Sequence, residues 1–220
     1  MQCGPRRLRR HFNLVQRDLK SRYVLPVLFS IAIGFVAMRA RGRGSPMKRC
    51  VFILPWFGPL RNYFDIFLSS CSINDEYDWI IVTDHVPEQV PDNVRICPMT
   101  FEKFQRAVQS KFEFRIALDR PYKICDFKPA LGYIFEEVLS GYEYWGHCDC
   151  DLVFGRLAPI LEPLFDEGYE KIFSAGHLTI YRNDSLNNRR FMRVDKDGVD
   201  MHGLPCLIRV SSPSMNRSGS

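Results

Sequence analysis

The chain has 220 residues, 46% hydrophobic and 25% charged, which suits one globular domain with accessory segments and excludes disorder throughout. Its formal net charge of +5 is unevenly placed: residues 1–46 hold 10 Lys/Arg against one Asp, which leaves 20 Lys/Arg against 24 Asp/Glu in the remainder. The part expected to fold is therefore mildly acidic, which excludes nucleic acid as the expected partner.

Within the basic leader, residues 23–38 form an apolar run with Lys/Arg clusters on both sides, a little short of the ~20 residues of a bilayer-spanning helix. The run is expected to act as a single-pass signal anchor. A cleaved signal peptide fits less well, because the charged lead-in is long and Met38-Arg39-Ala40-Arg41 lacks a small-x-small cleavage site. The protein would then be membrane-associated. The alternative is a natural start at Met47, whose Met-Lys-Arg-Cys-Val-Phe-Ile-Leu runs directly into a strand, and the protein would then be cytoplasmic. The eight cysteines include no CxxC pair, so reduced thiols packed as small hydrophobes are expected.

From Cys50 onward, short apolar runs alternate with amphipathic stretches, the pattern of an α/β domain with a mainly parallel sheet flanked by helices. Cys50 to Leu54 is the first predicted strand, ended by Pro55 and Gly58. Tyr63, Phe64, Phe67, Leu68 and Cys71 share one helical face within 60–72. Trp79 to Thr83 gives a second buried strand ending on Asp84, and Val94 to Pro98 a third. Thr100 is placed to cap a helix through Phe101, Phe104 and Val108. Residues 123–139 give another helix entered near Pro129, and Tyr142 to Asp149 the next strand. A short helix over 157–165 and a strand or hairpin over 171–181 follow. The domain is expected to span 47–183, and 184–220, rich in Asp, Asn, Arg, Ser and Gly, to be a divergent and partly disordered tail. Asn183-Asp-Ser185 and Asn216-Arg-Ser218 match glycosylation sequons, which matter only if the domain is luminal.

The chemistry concentrates where the Tyr142–Asp149 strand leaves the sheet. Side chains alternate along a strand, so His147, Asp149 and Asp151 are expected on one side and Cys148, Cys150 and Leu152 on the other. Paired carboxylates at a strand's carboxyl end suit a hard cation, Mn²⁺ or Mg²⁺, that also holds phosphate oxygens. A zinc site of His147, Cys148 and Cys150 is disfavoured because adjacent residues face opposite sides and a second ligand pair is missing. Asp84 could accept hydrogen bonds from a ribose or base, or serve as a turn aspartate. In the segment 120–129, Lys123 and Lys128 could neutralise phosphates while Asp126 fixes one of them or binds a sugar, although such clusters are usually solvated. His177 is expected to be a core histidine.

Several segments together resemble an uncharacterised family of GT-A-type glycosyltransferases known mainly from bacterial capsule and lipopolysaccharide gene clusters. They are Phe52-Ile-Leu-Pro-Trp-Phe-Gly58, Asn62-Tyr-Phe64, Tyr122-Lys-Ile-Cys-Asp-Phe-Lys-Pro129, Trp145-Gly-His-Cys-Asp-Cys-Asp-Leu-Val-Phe-Gly155 and Gly176-His-Leu178. The resemblance runs from about Lys48 to Asn183. It implies a GT-A-like, Rossmann-like fold that binds a nucleotide-sugar donor and transfers the sugar to a glycan or lipid-linked acceptor. It further implies that Pro55, Trp56, Gly58 and Asp84 lie near the nucleotide, that Lys123, Asp126, Lys128 and His147 line the donor pocket, and that Asp149 and Asp151 hold Mn²⁺ or Mg²⁺. The general base is unassigned, and the acceptor-side segment expected after Gly176-His-Leu178 has no counterpart in 191–206. A binding protein with impaired catalysis is therefore one alternative. A haloacid-dehalogenase-type phosphatase is another, although its Asp-x-Asp belongs on the opening strand rather than the fourth.

Overall fold

The computed structural model describes residues 48–192. The basic leader with its apolar run 23–38, and the segment from 193 onward, lie outside the described residues. Among the described residues no helix is long and apolar enough to cross a membrane.

Six strands form one sheet: β1 (Cys50–Trp56), β2 (Asp78–Thr83), β3 (Val94–Pro98), β4 (Tyr144–Cys148), β5 (Lys171–Ala175) and β6 (Leu178–Arg182). Their order across the sheet is β3-β2-β1-β4-β6-β5. The pairs β1/β2, β2/β3 and β1/β4 are parallel, whereas β4/β6 and β5/β6 are antiparallel. The sheet is therefore mixed but mostly parallel, flanked by helices on both faces, in an arrangement consistent with a Rossmann-like fold. The segment 171–181 resolves as a hairpin, with its register shifted between Ile172 and Ala175.

The apolar runs are continuous because both faces of the sheet are covered, as parallel sheets require. One face carries Val51, Ile53, Ile80, Val82 and Trp145, packed with α2 (Phe101–Ser110) through Phe104, Ala107 and Val108. The other carries Phe52, Leu54, Trp79, Ile81 and Tyr144. It is covered by α1 (Phe64–Ser72) through Phe64, Phe67, Leu68 and Cys71, and by α5 (Ala158–Asp166) through Leu161 and Phe165. Thr100 caps α2 as its position predicts, its hydroxyl accepting from the Lys103 amide at 3.4 Å.

The expected helix over 123–139 is broken into short pieces. A 3₁₀ turn over Pro121–Lys123 leads into α3 (Ile124–Phe127), and a second over Lys128–Ala130 leads into α4 (Leu131–Ile134). Pro121 and Pro129 supply no amide hydrogen, so the i→i−4 ladder cannot run through them and the tighter turn takes over. α4 also presses close to the sheet: a Cβ on Gly132 would lie 2.3 Å from the Trp145 indole. The break leaves Lys128 at the start of a 3₁₀ turn rather than inside a helix.

Ordered structure continues past Asn183. Asp184 caps α6 (Ser185–Asn188), its side chain accepting from the Asn187 amide, and a 3₁₀ turn follows over Arg190–Met192. Asn187 and Asn188 are buried. Asn183 of the first sequon is itself bound into the fold, its amide donating to the carbonyls of Leu139 (2.8 Å) and Tyr142 (2.9 Å).

Candidate functional site

The central strand β1 has β2 on one side and β4 on the other, all three parallel. Their carboxyl ends therefore lie along one edge, and the chain order reverses across β1. Open α/β sheets bind ligands at this kind of crevice. Three segments leave the sheet there: Phe57-Gly58 after β1, Asp84 after β2 and Asp149-Cys150-Asp151 after β4.

The first two segments are tied together. Gly58 has φ +105, and a Cβ there would meet nothing within 4 Å, so the backbone conformation rather than space calls for glycine. Its amide donates to Asp84 Oδ1 at 2.9 Å, and His85 Nδ1 lies 2.8 Å from the same oxygen. Slight burial pushes the Asp84 carboxyl up, but the Gly58 amide and His85 outweigh it and hold the group below its ordinary value. Asp84 thus fixes the loop after β1. Pro55 and Trp56 stay within β1, half-buried and paired with Val82 and Thr83 of β2.

The end of β4 is organised around Asp149. Lys128 Nζ forms an ion pair with Asp149 Oδ1 and donates to the Gly176 carbonyl at 3.0 Å. The Asp149 amide donates to the His177 carbonyl at 3.0 Å. One lysine and one aspartate therefore hold the turn between β5 and β6 against the end of β4. The Asp149 side chain remains 37% exposed while that of Lys128 is 15% exposed, so a ligand can reach the carboxylate. His177 is exposed rather than in the core, which corrects its expected place. It sits at the hairpin turn, where the backbone carbonyl is the group in use.

The buried histidine is His147, at 3% exposure, with its Nδ1 lacking a hydrogen-bond partner. Burial, aided by the positive charges of Lys128 and Lys171, pushes its pKa down to about 3. The ring is neutral at physiological pH. Its ring centroid lies 6.3 Å from that of Tyr181.

β4 ends at Cys148, one residue short of the expected strand, and Cys150 and Asp151 lie in the turn that follows. Cys148 and Cys150 are buried in the core layer opposite Trp145, and half-buried Leu152 packs against it. Asp149 is half-buried and Asp151 exposed. The Cys150 thiol is pushed up to about 11 by burial first, then by Asp151 and Asp149, with Arg61 acting in the opposite sense. Both carboxylates and Arg61 are thus within electrostatic reach of one buried sulfur. Arg61, exposed in the loop after β1, is a cation that motif reading passes over because it stands alone, without a charged neighbour in the loop 57–63. Lys123 and Asp126 form an ion pair with each other, three residues apart, whereas Lys128 alone of that segment's lysines pairs with Asp149.

Among the described residues, no three of His, Cys, Asp and Glu gather into a set that could hold a metal ion, so a zinc cage of His147, Cys148 and Cys150 does not form. The hard oxygen groups at and just beyond the end of β4 are the carboxylates of Asp149 and Asp151. Mg²⁺ and Mn²⁺ bound with phosphates commonly take one or two carboxylates and complete their shell with phosphate oxygens and water. Two carboxylates would fit such a cation only with a phosphorylated ligand completing its shell; they do not make a self-sufficient metal centre.

The fold and this edge define an α/β protein with a topological switch point between β1 and β4, where Lys128, Asp149 and Asp151 stand at or just beyond the end of β4. Residues 52–203 match a family of unknown function, DUF6625, and the chain belongs to that family. No curated protein and no solved structure matches the chain.

Proposed function

We propose that the protein is a glycosyltransferase of GT-A-like fold that binds a nucleotide-diphosphate sugar at the carboxyl ends of β1, β2 and β4. The observation that carries this reading is the Lys128–Asp149 pair at the end of β4, near exposed Asp151 and the topological switch point between β1 and β4. A cation-binding acid and a phosphate-binding lysine side by side suit a diphosphate. The sequence resemblance to GT-A-type glycosyltransferases supports the same reading.

In this account Asp149 and Asp151 would hold Mn²⁺ or Mg²⁺, and the ion, when bound, would supply stabilisation of negative charge on the departing diphosphate. Lys128 and Arg61 contribute positive charge toward the phosphates. The loop at Pro55, Trp56 and Gly58, held by Asp84, shapes the nucleotide end, and Lys123 with Asp126 borders the sugar. An acceptor hydroxyl attacks the anomeric carbon, its C–O bond forming as the bond to the diphosphate breaks. The diphosphate leaves with the electron pair, and the hydroxyl proton passes to a base or to solvent. The acceptor is a glycan or a lipid-linked glycan, and the apolar run 23–38 would place the domain at a membrane.

Donor hydrolysis tests the reading directly. The full chain, given a panel of nucleotide sugars with Mn²⁺, is expected to release nucleoside diphosphate from one or a few of them, and Asp149→Asn is expected to abolish that release. Release of inorganic phosphate from a generic aryl phosphate with Mg²⁺, lost on Asp149→Asn, would favour a phosphatase instead. Donor binding without turnover or transfer would mark a binding protein.

A further inference from the structure

Lys128 and a divalent cation would address the same carboxylate. Lys128 Nζ is already paired with Asp149 Oδ1 and also bonded to the Gly176 carbonyl at 3.0 Å. Its side chain is largely enclosed, at 15% exposure, against 37% for that of Asp149. A cation approaching that oxygen meets an ammonium already there, and the two like charges repel. A diphosphate offers Lys128 a stronger anionic partner than one carboxylate.

Resting on the reading of this edge as a diphosphate site, we propose that Lys128 is a built-in counter-ion that keeps divalent cations off Asp149 until a diphosphate draws it away. Cation and diphosphate then bind cooperatively, each tightening the other by the same factor. Withdrawal of Lys128 also removes its bond to Gly176, so the turn between β5 and β6 is released as the site fills. The hydrogen bond that the Asp149 amide donates to the His177 carbonyl, 3.0 Å, remains as the hinge of that turn.

The test uses the full chain and Mn²⁺ alone, read by the loss of the free-ion signal in electron paramagnetic resonance. Lys128→Met is expected to bind Mn²⁺ about tenfold more tightly than wild type. Lys128→Gln, which retains a donor for the Gly176 carbonyl, is expected to shift the same way, and Lys128→Arg to behave like wild type. The gain must vanish in the double variant Lys128→Met/Asp149→Asn. In a separate titration without metal, inorganic pyrophosphate is expected to bind wild type more tightly than Lys128→Met. Equal Mn²⁺ affinity in wild type, Lys128→Met and Lys128→Gln would overturn the proposal. If wild type still bound Mn²⁺ with a nucleoside diphosphate, and Asp149→Asn did not, the diphosphate-site reading would survive that failure. Absence of Mn²⁺ and nucleoside diphosphate binding in every variant would overturn both.

Discussion

The indole Nε1 of Trp145 donates a 2.7 Å hydrogen bond to Oδ1 of Asn188, joining the interior of β4 to α6. Trp145 is fully buried and stacks on Tyr181 at 4.7 Å between ring centroids. Among the described residues, its indole N–H is therefore satisfied by a residue beyond Asn183. Asn188 in turn donates to Asn183 Oδ1 at 2.9 Å, so the short polar stretch 183–188 closes the layer over Trp145.

Asp184→Ala removes the cap of α6, where the carboxylate accepts from the Asn187 amide at 2.8 Å and from the Asn187 side chain at 2.7 Å. Loss of such a cap costs about 1 kcal/mol. The variant is expected to lower the urea midpoint by the matching amount and to change Trp145 emission. Unchanged stability would mean that α6 is held by other contacts.

Gly132→Ala places a methyl 2.3 Å from the Trp145 indole, and both the α4 backbone and the fully buried ring resist displacement. Overpacking of this kind costs about 1–3 kcal/mol. A melting temperature at or above the wild-type value would show that α4 can move off the sheet.

His147 makes folding stability depend on pH in a defined direction. Its folded pKa is lowered to about 3 from 6.5 by burial and by Lys128 and Lys171, so the unfolded chain binds the extra proton between those values. The contribution is therefore complete above about pH 6.5 and declines as pH falls toward the folded value. By linkage, lowering pH to about 5, still above the main carboxylate range, costs about 2 kcal/mol. His147→Leu is expected to flatten that slope in urea titrations across pH 7.5 to 5. A slope identical to wild type would mean that the ring is charged or solvated in the folded state.

Much of the fold was legible because its physics is local. Leu54, Ile81 and Val82 sit in unbroken apolar runs, and runs of that length mark strands covered on both faces. Thr100 announced its helix through one hydroxyl. Residues 123–139 misled as a single helix because the apolar spacing of Ile124, Phe127, Leu131 and Ile134 survives the breaks that Pro121 and Pro129 impose. Residues 184–192 looked like a tail because Asp184, Asn187 and Asn188 act through hydrogen bonds that composition does not reveal. The Asp149 and Asp151 doublet was visible as a motif. The pairing of Asp149 with Lys128 spans 21 residues, and the His177 contact uses only backbone groups, so neither leaves a spacing that sequence reading can recognise.

The most direct measurement is calorimetric titration of the full chain with nucleotide-diphosphate sugars in the presence and absence of Mn²⁺, comparing wild type with Asp149→Asn and Asp151→Asn. The account predicts that at least one nucleotide sugar binds wild type, that Mn²⁺ tightens it about tenfold or more, and that Asp149→Asn removes the metal-dependent part. Donor binding that is unchanged by Mn²⁺ and by both substitutions, or no binding by any nucleotide sugar, would contradict it.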